Sequence, residues 1–250
     1  MPMPYFSGVV KKLWILTALL ALLNIIVVST YGMYERRVVR CVSVGVLLCF
    51  YFYYNRQRSR SFLLFFSIFF IKDFGMIFYD TYWGNSFYFL FGAIGYGVYT
   101  QNIAKNAYFT LDRRLMLGSL LLLLLGGLIV YLLIENLSIG FVAHLNIPLF
   151  ICYGILSVIV ALCTFQYNSI YNSRRSFWFV CVALLLTVSD LFRYIAFYFS
   201  LDLLSHFEKL CYLLAWALLI YISLHPILKQ EEKQDISLLE EEVKPTSDHT

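Results

Sequence analysis

Charge is scarce in this chain. Only 14% of its 250 residues are charged, against 61% hydrophobic and 19% aromatic. No soluble domain of this length could bury so much apolar surface, so the composition is that of a polytopic membrane protein. Histidine is nearly absent, at four residues, and the six cysteines form no CxxC pair or other metal spacing. No metal or cofactor site is therefore expected. Cys41, Cys49, Cys152, Cys163, Cys181 and Cys211 read as small apolar side chains, with Cys41 and Cys211 the one pair that could share a surface. The glycine-rich run Gly92-Ala93-Ile94-Gly95-Tyr96-Gly97 has no strand before it and no Lys-Ser or Lys-Thr after it, so helix packing explains it better than phosphate binding. His144 and His225 stand alone, and Asn24 and Gln166 are single polar residues suited to bonds between helices.

Long apolar runs are what the chain has in quantity. They lie at about Leu13 to Tyr31, Val38 to Tyr54, Phe62 to Tyr79, Phe87 to Tyr108, Leu115 to Ile134, Phe141 to Tyr167, Phe177 to Phe199 and Phe207 to Leu224. Each is close to the length that about 30 Å of hydrocarbon requires at about 1.5 Å per residue. Eight transmembrane helices are expected, in an all-α fold over residues 1–228. The first run lacks a small-residue cleavage pattern and reads as an anchor.

Basic residues orient the bundle. One side collects Lys11, Lys12, Arg56, Arg58, Arg60, Lys105, Arg113, Arg114, Arg174, Arg175, Lys229 and Lys233, twelve in all. The other has Arg36, Arg37, Arg40 and Lys209, four in all. Both termini are then cytoplasmic. Residues 229–250, with seven acids against three lysines, read as a disordered acidic tail. That tail carries −4 of a chain total of +4, which leaves +8 for the membrane part, concentrated on the inner face. Anionic lipid headgroups are the expected partners, and nucleic acid is a poor one because the bases line no groove. The abundance of Phe, Tyr, Ile and Asn hints at an AT-rich bacterial genome and so at a bacterial cytoplasmic membrane.

Two charged clusters interrupt the apolar runs, Lys72-Asp73 in the third and Asp190 with Arg193 in the seventh. Ionisable groups in lipid cost several kcal/mol unless paired or solvated, so these positions are candidates for a functional interior site. Each cluster follows a similar triplet, Arg60-Ser61-Phe62 or Arg175-Ser176-Phe177, with Asp73 12 residues after Ser61 and Asp190 14 residues after Ser176. Two parallel four-helix repeats are expected, with both aspartates at similar depth, about 18 to 21 Å along their helices and past the midplane. Lys72 and Asp73 point about 100° apart on a helix, whereas Asp190 and Arg193 share a face at i,i+3. Asp73 is expected near Arg193, with Lys72 reaching Asp190 or snorkelling. Tyr79, Tyr82, Tyr96, Tyr99, Gln101, Ser189, Tyr194 and Tyr212 could line a cavity between them, although many tyrosines serve as interfacial anchors.

Phe69-Phe70-Ile71-Lys72-Asp73, Phe91-Gly92-Ala93, Tyr99-Thr100, Ser189-Asp190-Leu191-Phe192 and Tyr212 together resemble the lysoplasmalogenase-type (YhhN-like) membrane proteins. The likeness covers about residues 60–225. It implies an eight-span bundle and, in some members, hydrolysis of the vinyl-ether bond of lysoplasmalogens. It departs from the family where Lys72 replaces a common glycine, where Tyr96 stands in place of a histidine, and where Trp216 replaces a glutamine.

Vinyl ethers resist base and break by protonation at carbon, so this chemistry needs an acid. An aspartic acid in an apolar bundle tends to hold its proton, and a second carboxylate can stabilise the cation or activate water. Asp73 and Asp190 fit those roles, with Lys72 and Arg193 suited to a lysophospholipid phosphate and Tyr96, Tyr99 and Tyr212 to positioning the substrate. Neighbouring bases oppose the acid role, because they favour the ionised carboxylate. The competing expectation is a non-enzymatic membrane protein: a small-solute or proton-coupled transporter, or a sensor or scaffold whose charges fix helix register.

Overall fold

A computed structural model describes residues 3–55, 60–104, 146–199 and 201–225. Among them are seven α-helices and no strand: α1 (Met3–Thr30), α2 (Met33–Tyr54), α3 (Arg60–Ile77), α4 (Tyr82–Ala104), α5 (Asn146–Tyr171), α6 (Arg174–Phe199) and α7 (Asp202–Leu224). The expected span from Leu115 to Ile134 and the acidic tail lie outside the described residues. Five helices, α1, α2, α5, α6 and α7, are long and apolar enough to cross a membrane. The other two are diluted by composition: α3 carries Arg60, Lys72 and Asp73 within 18 residues, and α4 is rich in tyrosine and glycine. The described part of the chain is all-helical, with the character of an integral membrane protein.

Sequence periodicity explains how α1 sits. Leu13, Thr17, Leu20, Asn24 and Val27 recur at helical spacing and are buried, whereas Ile15, Leu19, Leu22, Leu23 and Ile26 form an exposed apolar stripe. In water that outer stripe would be costly; against lipid it is not. Asn24 donates to Ser43 Oγ at 2.8 Å and ties α1 to α2. Consecutive helices pack on one another, α1 returns to α7, and α2 also touches α7, so the described helices close into a ring.

Four short-range devices set two of the turns. Between α3 and α4, the Thr81 hydroxyl accepts from the Gly84 amide at 3.1 Å and so caps α4. A Cβ on Gly84 would lie 2.0 Å from the Phe78 carbonyl oxygen, so the turn closes only over glycine. Between α5 and α6, Asn172 adopts a left-handed backbone at φ 42°, and Ser173 and Ser176 cap one another through amide-to-hydroxyl bonds of 3.0 and 3.1 Å. Ser176 of the second triplet is thus a helix-start residue.

The helices begin earlier than the apolar runs suggest. Helix α2 starts at Met33 instead of Val38, and α7 at Asp202 instead of Phe207. Arg36 and Arg37, which precede the apolar run, consequently lie inside a helix, as do Arg40 and Lys209, which the runs already included. Arg40 is 1% exposed and Lys209 5% exposed.

Candidate functional site

Helices α3 and α6 bring Lys72 and Asp190 together, and α4 and α5 add three tyrosines. Asp190 Oδ2 accepts from Tyr96 Oη at 2.7 Å and from Tyr153 Oη, while Oδ1 accepts from Tyr88 Oη at 3.2 Å, Lys72 Nζ at 3.4 Å and Arg193. Lys72 also donates to Tyr153 Oη at 2.7 Å. Arg193 bonds to Tyr88 Oη and approaches Met76 Sδ at 3.2 Å. Asp190 is therefore all acceptor: five donors converge on one carboxylate, with lysine and arginine supplying positive charge to a group that burial would otherwise penalise.

Asp73 belongs to a second cluster. Its Oδ2 accepts from Tyr212 Oη at 2.6 Å, and its Oδ1 lies 3.2 Å from Arg40 Nη2. Arg40 stacks 3.7 Å from the Tyr212 ring centroid and pairs with Glu208, whose other oxygen takes Lys209 Nζ at 2.9 Å. The expected Asp73–Arg193 pair is not formed. Arg193 is held by Asp190 on its own helix, and the 100° step from Lys72 to Asp73 turns Asp73 toward α2 and α7. Lys72 does reach Asp190, as expected.

Glycine positions these rings. A Cβ on Gly92 would lie 2.2 Å from Tyr153 Cε2, and one on Gly95 would lie 2.4 Å from Phe69 Cε2. The small residues of α4 thus admit aromatic rings from α5 and α3 rather than another backbone, and one of those rings carries a hydroxyl that binds Asp190.

At the end of the bundle where α2 and α7 begin and α3 and α6 finish, a cleft of about 540 Å³ opens, mouth included. Its interior is narrow, with room for only a few water molecules. Arg36, Arg37, Arg193, Lys209 and Glu208 supply its charge, and Met76, Tyr79 and Phe197 part of its apolar wall. Arg193 is its inner boundary, since the same guanidinium bonds to Asp190. At the rim, Arg36 pairs with Asp202 at 2.6 Å and Arg37 with Asp80 at 2.7 Å, and both acids are more than 70% exposed. The Arg37 bonds hold the Asp80 carboxyl below its ordinary range.

Of the residues singled out in the sequence, Lys72, Asp190, Arg193 and Tyr96 share the first cluster, and Asp73 and Tyr212 the second. Tyr99 is elsewhere, donating to the Phe179 carbonyl at 3.2 Å, and Ser189 donates to the Glu208 carbonyl at 3.1 Å. Tyr88, Tyr153, Arg40 and Glu208 were not singled out. Helical spacing carried the signal for two of them: Arg40 lies one turn before Val44 on the buried face of α2, and Glu208 one turn before Tyr212 on that of α7. All six cysteines are free thiols, Cys41 buried and Cys211 partly so. Among the described residues no group of three or more His, Cys, Asp or Glu side chains is placed to hold a metal. Comparison of the chain with family models, with curated proteins and with solved structures finds no match.

Proposed function

We propose that this protein is an integral membrane hydrolase of lyso-ether phospholipids, of the lysoplasmalogenase type, with Asp73 and Asp190 as its reacting carboxylates. The observation that carries the reading is the Asp190 cluster: a buried carboxylate ringed by tyrosine hydroxyls and two cations, adjoining a cleft of mixed apolar and cationic lining. In the reaction a proton adds to the alkene carbon, water captures the oxocarbenium ion, and the hemiacetal collapses to an aldehyde and a free glycerol hydroxyl. In this reading one of the five donors on Asp190 gives way as the carboxylate stabilises that cation or orients water. The less encumbered Asp73, with one tyrosine and one arginine, is the better candidate for the proton donor. The interior of the cleft is narrow, so an amphiphile would have to part the helices around it.

The wider arrangement belongs to the same proposal: eight spans, two parallel four-helix repeats, cytoplasmic termini and a bacterial cytoplasmic membrane. Of the four outer bases only Arg36 is not buried, Arg37, Arg40 and Lys209 being 4%, 1% and 5% exposed, so little exposed positive charge opposes translocation of that end.

Purified protein in detergent, given lyso vinyl-ether lipids with several headgroups, should release aldehyde. D73N and D190N should release none while remaining inserted and folded. Folded wild-type protein that releases no aldehyde from any head overturns the proposal. A second reading, that the charges only fix helix register, is favoured by the pairing of every charge in the two clusters. It predicts that replacing Lys72, Asp190 and Arg193 together by apolar residues restores the stability lost on changing one.

A further inference from the structure

Among the described residues, four cations share three carboxylates in the two buried clusters. Asp190 pairs with both Lys72, at 3.4 Å, and Arg193. Glu208 pairs with both Arg40 and Lys209, the latter at 2.9 Å, and Asp73 pairs with Arg40 alone, at 3.2 Å. All seven side chains are more than nine-tenths buried. Each touches a partner, yet one positive charge has no counterpart. Arg37 does not alter the balance, because Asp80 matches it from the rim. The tyrosine hydroxyls on Asp190 and Asp73 supply hydrogen bonds but no charge. A charge left over in an apolar bundle is costly, and it is relieved either by a counter-ion or by loss of a proton.

The cleft is where a counter-ion can meet that charge. Of the seven, Arg193, Lys209 and Glu208 line it. Lys209 has three N–H groups and Glu208 as its acceptor, so donors remain. Arg193 spends Nη2 on Asp190 and Tyr88 and turns Nη1 toward the Met76 sulfur at 3.2 Å, a weak acceptor. Ser205 adds a hydroxyl to the same lining. Two cations with donors still to place therefore border a space that holds only a few waters, while Asp80 and Asp202 at the rim are turned to solvent.

We infer that the cleft binds one halide-sized monovalent anion beside Lys209 and Arg193, as the missing counter-charge of the two clusters. A single negative charge closes the balance, and the N–H groups replace water that the anion sheds on entering. A bulky anion such as gluconate does not fit the narrow interior. The inference concerns ion binding and goes beyond the hydrolase reading, on which it does not depend.

Full-length protein in detergent is exchanged into sodium gluconate, and chloride is added at constant ionic strength and pH. Chloride should raise the melting temperature along a saturating curve, by roughly 5–10 °C at a hundredfold excess over its Kd, and bromide should do the same. Radiolabelled chloride should bind at one ion per chain. K209M, which removes a cation from the cleft and equalises the count, should weaken that binding by at least about thirtyfold. R36Q, at the rim, should change the Kd by less than about fivefold, because exposed ion pairs contribute little. Wild-type protein with no saturable response to chloride and no bound label overturns the inference, whether or not K209M folds. So does a folded K209M whose affinity falls by less than that, or a larger loss in R36Q, which would put the ion at the surface. Aldehyde release is scored separately, so failure of either reading leaves the other standing.

Discussion

Changing Asp190 to asparagine keeps the side chain's shape and one acceptor but removes the negative charge that Lys72 and Arg193 share. At 3.4 Å and an effective dielectric of about 20, the Lys72–Asp190 attraction alone is about 5 kcal/mol before desolvation is subtracted. Breaking a buried pair by removing one partner typically costs about 3–5 kcal/mol, because the remaining charge is stranded. Two cations are stranded here, so D190N should sit at the upper end. For a chain of this size about 1 kcal/mol moves the melting temperature by roughly 2–4 °C, so a fall of about 10–20 °C is expected in detergent. K72M should cost less, since Asp190 keeps Arg193 and three tyrosine hydroxyls. The K72M/D190N double variant should be more stable than the sum of the single losses by more than about 1 kcal/mol. D190N melting within a degree or two of wild type, or strict additivity in the double variant, would refute the electrostatic reasoning.

Gly92→Ala should destabilise by about 1–3 kcal/mol, because its Cβ would meet Tyr153 Cε2 at 2.2 Å; shrinking the ring in Y153L should recover part of that loss in a melting assay. Gly84→Ala should be worse, since the Phe78 backbone oxygen at 2.0 Å cannot swing aside, whereas Gly97→Ala, with nothing within 4 Å in mid-helix, should gain about 0.5–1 kcal/mol. Asp80 is held below its ordinary range by Arg37, so its contribution should be present above about pH 4 and fade as pH falls through the depressed value. The pair is exposed on the acid's side, so D80N should flatten the acid limb of a stability profile by no more than about 1 kcal/mol, with R37A doing the same.

Much of the fold was legible because hydrocarbon length and helical period are properties of the chain itself. The helix starts were less so, and for a definite reason. Hydropathy ends a span at the first charge, but Arg37 and Arg40 are on the same face as Cys41, Val44, Leu47 and Tyr51, and the helix runs on through them because their charges find Asp80, Asp73 and Glu208. The pairing of Lys72 with Asp190 could be read from side-chain direction. The partner of Asp73 could not, because Arg40, near the start of its span, reads as one of the bases that orient the bundle. Tyr88 and Tyr153 were hidden among twenty tyrosines, and only the seat at Gly92 distinguishes Tyr153 from an interfacial anchor.

The adjacency of Lys72 and Asp73 binds the two clusters into one mechanical unit. A rotation of α3 that improved the Lys72–Asp190 contact would swing Asp73 off Tyr212 and Arg40, because successive side chains are fixed about 100° apart. Helix α3 is therefore locked about its own axis from two sides, by α6 with the tyrosines of α4 and α5, and by α2 with α7. Two such contacts, on consecutive residues, fix the position of one carboxylate relative to the other, which serves helix register and would equally serve the proposed two-carboxylate reaction. The energetic cost is carried by the buried charges, and it is offset by ring contacts and hydroxyl bonds that apolar side chains could have replaced more cheaply.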